Sequence, residues 1–300
     1  MDNSGISEIV AEIEKIKSQY VADKSVFVEG ARMVALLTGL GASTEDFERI
    51  KLVSDHLPDD PTLPFRRSRN GRFCCDPRRR EIFRLEFQPF LLSAEEDFVR
   101  HDSGSVREFA EIGNDLQMNT VLQALLVFQH LMLDGVDSVR RPHLNYDTDQ
   151  WITTLFSLRT VSTELQVGEP AMEGVHSDGV DHTMTTFLCA ENMTDDSAVT
   201  FLHDMRETNG TRWHDADPDL VLGQCQHRHF MDTLLVIDHE RKHSLSPVQI
   251  DSPSQSATRD MLIFFTRKPT VEEHPSHVFD SLQPHLTLPM SLPFGHMAAL

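Results

Sequence analysis

Cations, cysteines and long apolar runs are all scarce in this sequence, and each shortage excludes a class of protein. Lysine and arginine together number 27 against 47 aspartates and glutamates, which gives a formal net charge of −20. A general nucleic-acid surface needs a basic footprint, and an anionic membrane attracts cationic segments, so we expect neither partner. An acidic small molecule is still acceptable, because a local arginine pocket can hold one.

The 4 cysteines are too few for a disulfide framework in a chain of 300 residues. Cys74 and Cys75 are adjacent, Cys189 and Cys225 stand alone, and no spacing is typical of structural zinc. No run of about 18 apolar residues is present, so we predict no transmembrane helix. No cationic segment precedes an apolar one near the N-terminus. We therefore expect no signal peptide and a cytoplasmic protein.

Apolar residues at helical spacing predict helices over residues 6–20, 29–39, 44–56 and 114–133. The dipeptide Asn70-Gly71, flanked by strand-like residues, predicts a two-residue hairpin turn.

From Trp151 onward the pattern changes to short strand-like runs separated by turn residues. The runs lie at 151–161, 183–190, 198–203, 233–238 and 260–267. Many short strands of this kind predict a sandwich or a barrel.

A histidine and an aspartate stand two residues apart in the segment Glu-Gly-Val-His-Ser-Asp-Gly at 173–179. In a strand, residues i and i+2 point to the same face, so His176 and Asp178 would project together. A second histidine would complete the two-histidine, one-carboxylate triad of a non-haem Fe(II) oxygenase. His243, which follows the apolar run 234–237, is the residue that we predict to complete it.

Arg259 stands just before the apolar run 261–265. Its planar guanidinium would supply the two-pronged donor that a dicarboxylic co-substrate needs. A His-x-Asp pair alone is a weak signal for such an oxygenase. The signal is more specific when the pair is followed in order by a distant histidine and by an arginine that enters the next strand.

A jelly-roll core suits this site, because strand ends from two facing sheets converge on one mouth. We therefore expect an α+β protein with a double-stranded β-helix (jelly-roll, cupin-like) core and buttressing N-terminal helices. The predicted division is a helical segment at 1–60, a jelly-roll domain at 61–268 and an extended tail at 269–300.

Residues 239–243, His-Glu-Arg-Lys-His, also form the HExxH signature of zinc proteases, which requires a helix. The preceding run 234–237 has the character of a strand, and Pro247 stands where a protease helix would continue. A zinc hydrolase using His239, Glu240 and His243 is thus an alternative that a helix at 236–247 would favour. A non-catalytic jelly-roll binding protein is a second alternative, which failure to bind Fe(II) would favour.

Three segments resemble the 2-oxoglutarate/Fe(II) dioxygenases that hydroxylate free amino acids, the isoleucine-dioxygenase-like group. They are the segment 173–179, Asp-x-x-x-x-His-Ser-x-x-Pro at 238–247 and Arg-Asp-Met-Leu-Ile-Phe-Phe at 259–265. A weaker likeness extends the resemblance to roughly residues 60–268. It implies that Fe(II), 2-oxoglutarate and O2 are used, that Arg259 holds the distal carboxylate of 2-oxoglutarate, and that succinate and CO2 are released.

The resemblance also implies a small, free, aliphatic L-amino acid as substrate. Its carboxylate would need a basic partner, for which Arg159 and Arg107 are candidates, and Glu173 and His182 are further candidate substrate contacts. The chain departs from the group at 194–197, Thr-Asp-Asp-Ser, where relatives tend to carry Gly-Gly. Desaturation or ring closure of the amino acid therefore stands beside hydroxylation as an alternative outcome.

Overall fold

A computed structural model of the chain describes residues 3–96, 100, 102–253 and 255–294. The α-helices of this part are α1 (Asn3–Asp23), α2 (Gly30–Gly39), α3 (Thr44–Ile50), α4 (Asn114–Gln117) and α5 (Thr120–Leu133). Its β-strands are β1 (Ser25–Val28), β2 (Arg66–Asp76), β3 (Glu81–Leu85), β4 (Ala110–Glu111), β5 (Trp151–Ser162), β6 (His182–Glu191), β7 (Val199–His203), β8 (Val221–Gln226), β9 (Thr233–Ile237), β10 (Lys242–Leu245), β11 (Ala257–Arg267) and β12 (Ser291–Pro293).

The strands form two sheets with a cavity between them. The larger sheet has the order β1-β9-β6-β11-β5-β2-β3-β12, with antiparallel neighbours along this path, and β4 pairs in parallel with β2. The smaller sheet has the order β10-β7-β8. The predicted α+β class with a jelly-roll core is confirmed.

The larger sheet separates the cavity from the helices, as β11 illustrates. Successive side chains of a strand point to opposite faces. Met261 and Ile263 line the cavity, whereas Leu262 and Phe264 are fully buried in the core that the sheet shares with the helices. One strand therefore serves both the site and the core.

Helix α5 is apolar nearly all round because it is buried between the sheet and α1, α2 and α3. Its N-terminus is capped by Asn119, whose side chain accepts a hydrogen bond from the amide of Val121 at 2.9 Å. Helix α1 packs on β1 and α5. Its residue Tyr20 reaches the sheet, where its hydroxyl is 2.8 Å from His182 Nδ1. No described helix combines the length and the apolar character needed to cross a membrane.

The hairpin predicted at Asn70-Gly71 is wrong, because both residues lie inside the continuous strand β2 and pair with β5. The hairpin turn falls instead at residues 77–80, between β2 and β3. Gly71 serves a different purpose. A Cβ at this position would lie 2.5 Å from Nη1 of Arg84, so glycine makes room for a buried guanidinium.

Residues 269–294 return to the larger sheet, where β12 pairs with β3. Asp280 fastens this segment, because its carboxylate accepts hydrogen bonds from Arg72 and Arg267. Residues 1–2 and 295–300, which belong to the predicted helical segment and tail, lie outside the described residues. The division at residues 60 and 268 stays a prediction.

Candidate metal and co-substrate site

His176 and Asp178 are brought next to His243, as the sequence predicts. His176 lies on the loop that precedes β6, and the prediction that a strand carries the pair is wrong. Two hydrogen bonds of 3.0 Å join the backbones of His176 and His243 as an isolated bridge. The loop begins at Gly174 with a φ of 77°, a value that glycine adopts without strain.

The three side chains converge on one point beside the cavity. Nε2 of His176 is 3.4 Å from Oδ1 of Asp178, and Nε2 of His243 is 3.6 Å from Oδ2 of Asp178. One ligand atom from each residue lies within 4.8 Å of the others, and all three residues are buried. Two imidazoles and one carboxylate are the ligand set of the facial triad of non-haem iron, so this donor set fits Fe(II).

Neighbouring groups fix the orientation of these side chains. Nδ1 of His176 donates to the carbonyl oxygen of Gly174 at 2.8 Å, which leaves Nε2 as the lone-pair nitrogen. The hydroxyl of Thr183 donates to Oδ2 of Asp178 at 2.7 Å. Burial raises the pKa of Asp178, but His243, His176 and Thr183 outweigh it and hold the pKa at about 2. The carboxylate is therefore ionised and suited to a cation.

Asp238 supports the loop from behind and was missed as a functional residue in the sequence. Its fully buried carboxylate accepts hydrogen bonds from the amide of Asp178 at 2.7 Å and that of Val180 at 3.3 Å. Nη1 of Arg141 lies 3.5 Å from the same carboxylate. The sequence signals were its position directly after an apolar strand and its place at the start of the segment 238–247, which resembles the dioxygenases.

Arg259 lies on the cavity face of β11 and is 3% exposed. Within the described part of the chain, its side chain makes no hydrogen bond or ion pair, and its Nε is buried without a partner. Burial lowers the pKa of Arg259 to about 10, so the group is still a cation at neutral pH. A buried cation without a protein partner is costly and is a ready site for an anion.

The cavity wall combines aromatic side chains with a few charged ones. Its aromatic and aliphatic members include Phe90, Phe109, Phe156, Leu158, Met261 and Phe265. Its charged members include Arg66, Arg100, Arg107 and Glu173. Oε1 of Glu173 lies 3.6 Å from Nε2 of His176, which puts this acid at the metal end of the cavity. Arg107 is buried with its guanidinium 5.0 Å from the centre of the Phe90 ring.

The other two predicted substrate contacts lie elsewhere, contrary to the expectation. Arg159 follows a cavity-lining residue of β5 but points to the opposite face, where its Nε and Nη2 each donate to Asp260 at 2.7 Å. His182 bonds to Tyr20 and packs against the Trp151 ring at a centroid distance of 5.3 Å. Strand alternation puts Thr183, not His182, on the cavity side.

The HExxH interpretation is wrong, because residues 233–245 form β9, a turn and β10 rather than a helix. Only a helix brings residues i and i+4 close together on one face, and a turn followed by a strand does not, so His239 is not a second zinc ligand beside His243. His243 belongs to the triad described above.

A jelly-roll core that brings two imidazoles and one carboxylate together beside a buried arginine defines a class of non-haem iron oxygenases. Residues 51–265 match the 2OG-Fe dioxygenase family, and the chain belongs to it. Members use Fe(II), 2-oxoglutarate and O2, so the protein is a 2-oxoglutarate-dependent non-haem iron dioxygenase. The family resemblance seen in the sequence is confirmed, and the amino-acid-hydroxylating group stays a prediction.

Among solved structures, the chain is similar to the Fe(II)/α-ketoglutarate-dependent dioxygenase TqaL, with 48% identity and a TM-score of 0.84 over 97% of this chain and 98% of that one. It is 45% identical over 284 residues to the bifunctional enzyme flvA of Aspergillus flavus. That match covers 95% of this chain but 34% of flvA, so the chain spans about a third of that relative. A bsmA homolog from Methylobium petroleophilum PM1 shares the fold, with 18% identity and a TM-score of 0.68 over 85% of this chain and 93% of that one.

Proposed function

We propose that the protein oxidises an unactivated C–H bond of a small free L-amino acid, most simply by hydroxylation. In this proposal His176, Asp178 and His243 bind Fe(II), and Arg259 binds the distal carboxylate of 2-oxoglutarate. When bound, the iron couples oxidative decarboxylation of 2-oxoglutarate, which gives succinate and CO2, to oxidation of the substrate. The chain itself holds, orients and shields the reactants.

The observation that carries the choice of substrate is the pairing of opposite charges in one apolar cavity. Glu173 lies at the metal end and can accept hydrogen bonds from an ammonium group. Arg66, Arg100 and Arg107 line the same cavity and can donate to a carboxylate. A zwitterionic α-amino acid carries both groups, and the aromatic walls suit an apolar side chain.

The first test measures succinate release from 2-oxoglutarate by protein loaded anaerobically with iron and then exposed to air with each of a panel of L-amino acids. We expect an aliphatic amino acid to stimulate release, and His176→Ala to abolish it. The mass of the product then separates hydroxylation from desaturation and ring closure. Tight binding of Fe(II) and 2-oxoglutarate without stimulation by any amino acid would contradict the proposed substrate.

The role of Arg259 has its own test. In Arg259→Gln we expect the KM for 2-oxoglutarate to rise at least about 30-fold, because one partner of a buried charge pair is lost. The KM for the amino acid should change little. Arg67→Gln is a matched control, since the Arg67 side chain is 43% exposed and pairs with Asp59. An unchanged KM for 2-oxoglutarate in Arg259→Gln would assign the co-substrate to another residue.

We further propose that the protein acts in the cytoplasm. The described cysteines are all free thiols, namely Cys74, Cys75, Cys189 and Cys225. Free thiols are typical of a reducing compartment. Fractionation of the source cells with an antibody to this chain would test the location.

A further inference from the structure

Arg66 and Arg259 lie in one row across the larger sheet, and both line the cavity. Thr160 of β5 is the register partner of Arg66 in β2 and of Arg259 in β11. Neighbouring strands are about 4.8 Å apart, so the backbones of the two arginines are roughly 10 Å apart. The distal carboxylate of one 2-oxoglutarate needs only one of these two guanidinium groups.

A buried acid holds Arg66 in place. Oδ2 of Asp60 accepts hydrogen bonds from Nε of Arg66 at 2.7 Å and from the hydroxyl of Ser68 at 2.6 Å. Oδ1 accepts from the amides of Thr62 and Leu63 at 2.9 and 3.1 Å. The Asp60 side chain is 0% exposed. This carboxylate is therefore fixed from several directions, and so is the guanidinium that it holds.

The hydrogen bond from Arg66 to Asp60 uses only Nε, so the two terminal nitrogens of the guanidinium are left for another partner. Nη1 and Nη2 of Arg66 make no hydrogen bond to a described residue. Arg100 differs, because its Nε and Nη2 both donate to Asp102, at 2.6 and 2.7 Å. Arg107 shares that acid, with Nη1 3.8 Å from Oδ2 of Asp102. Arg66 thus offers a pair of donors of the kind that grips a carboxylate end-on.

Resting on the proposed function, we infer that Arg66 binds the carboxylate of the amino-acid substrate through Nη1 and Nη2. Asp60 is the positioning residue that fixes the direction of the Arg66 guanidinium. The two arginines of this row then bind different carboxylates, Arg259 that of the co-substrate and Arg66 that of the substrate. Glu173 takes the ammonium group at the metal end, so the substrate is held at both charged groups.

The test compares Arg66→Gln with the control Arg67→Gln, whose exposed side chain belongs to the same strand. We measure KM for the amino acid, KM for 2-oxoglutarate and the charge-transfer absorption of the Fe(II)·2-oxoglutarate complex. In Arg66→Gln the KM for the amino acid should rise about 10- to 100-fold, the loss expected for a charge-assisted bidentate contact. The KM for 2-oxoglutarate and the absorption should stay within about twofold of wild type, and Arg67→Gln should match wild type throughout.

A second substrate without the carboxylate tests directly whether Arg66 binds that group. The primary amide of the same amino acid lacks the carboxylate charge, so wild type and Arg66→Gln should turn it over with similar KM. Arg107→Gln, run in parallel, should leave the preference of wild type for acid over amide intact. If Arg107→Gln removes that preference and Arg66→Gln keeps it, the inference is wrong.

The role of Asp60 needs a double-mutant cycle, because Asp60→Asn also weakens a buried network. If Asp60 acts through Arg66, Asp60→Asn raises the KM for the amino acid in wild type but adds little in Arg66→Gln. If Asp60→Asn raises the KM for the amino acid by the same factor in wild type and in Arg66→Gln, Asp60 has only a structural role. The charge-transfer absorption reports that each variant is folded and loaded.

The outcomes separate the inference from the function on which it rests. No response of wild type to any amino acid would contradict the proposed function. A response of wild type together with an unchanged KM in Arg66→Gln would contradict the inference alone. A rise in the KM for 2-oxoglutarate in Arg66→Gln would assign Arg66 to the co-substrate and would also overturn it.

Discussion

Asp238 acts through two backbone amides on the loop that carries the proposed metal ligands His176 and Asp178. Its carboxylate holds the amides of Asp178 and Val180 and so fixes the direction in which the Asp178 side chain leaves the backbone. Groups that orient metal ligands in this way commonly change metal affinity by 10- to 100-fold when they are replaced. At the scale of single residues, the geometry of the site is therefore held by this aspartate as well as by the contacts of the ligand side chains.

We therefore expect Asp238→Ala to weaken Fe(II) binding about 10- to 100-fold, because the loop amides lose their acceptor. Anaerobic titration with Fe(II), or with Co(II) as a spectroscopic substitute, measures the effect. Asp251→Asn, a change at an exposed loop residue, is the control and should bind metal like wild type. Wild-type affinity in a folded Asp238→Ala protein would mean that other contacts suffice to shape the loop.

At the scale of elements, burial decides how much of this fold could be predicted. The strands β5, β6, β9 and β11 bury most of their side chains and contain short apolar stretches, and the sequence located all four of them. Strand β8, by contrast, has only half-buried and exposed side chains and no apolar stretch of this kind, so it was not predicted. Local patterns reveal a strand only when its side chains must avoid water.

The site was predicted in part for a related reason. His176 and Asp178 are visible from their spacing, and His243 and Arg259 because each lies near an apolar run. The structure brings His176, Asp178 and His243 together. The pair formed by Asp60 and Arg66 is different, because its position beside Arg259 depends on the register between β2 and β5. Register is a property of two distant segments, so residue spacing within one of them could not predict it.

Gly71 gives a prediction at the scale of its strand. Gly71→Ala should destabilise the protein by about 1–3 kcal/mol, because the added methyl group would clash with the Arg84 guanidinium. That guanidinium cannot swing aside, since the Arg84 side chain is 0% exposed and is held by Glu111 and the carbonyl of Ile112. Urea unfolding measures the change.

Gly223→Ala is the matched control. Gly223 also lies in a strand, but a Cβ there would meet nothing within 4 Å. We expect a small effect on the free energy of unfolding, and equal effects of the two substitutions would contradict the steric argument for Gly71.

At the scale of the whole molecule, Asp280 links the returning chain to the sheet. Its carboxylate is 2.5 Å from Nη2 of Arg72, 3.0 Å from Nη1 of Arg267, and 2.9 Å from the amide of Thr270. Burial raises the pKa of Asp280, but Arg267 and Arg72 outweigh it and hold the pKa well below its usual range. This group therefore contributes stability above the pKa of an unfolded aspartate, about 3.9, and the contribution is lost as the pH falls below it.

Asp280→Asn should accordingly lower the free energy of unfolding at neutral pH by about 3 kcal/mol, because the buried Arg72 and the half-buried Arg267 lose their charged partner. The difference between wild type and variant should shrink as the pH falls below about 4, since the unfolded wild-type chain then takes up a proton at Asp280 that the folded protein does not yet bind. Chemical unfolding at several pH values measures both effects. Asp149→Asn removes an exposed ion pair with Arg78 and should cause no measurable change. A difference that stays constant down to the lowest pH would contradict the role of the charge.

The alternation of β11 also determines where substrate range could be changed by laboratory evolution. Met261, Ile263 and Phe265 face the cavity, and Leu262 and Phe264 between them lie in the core shared with the helices. Selection for a new substrate should therefore accumulate changes at the odd-numbered positions and leave the even-numbered ones untouched. Because cavity-facing and core-facing side chains have different neighbours, substitutions on the cavity face can change substrate range without loosening the packing between the sheet and the helices.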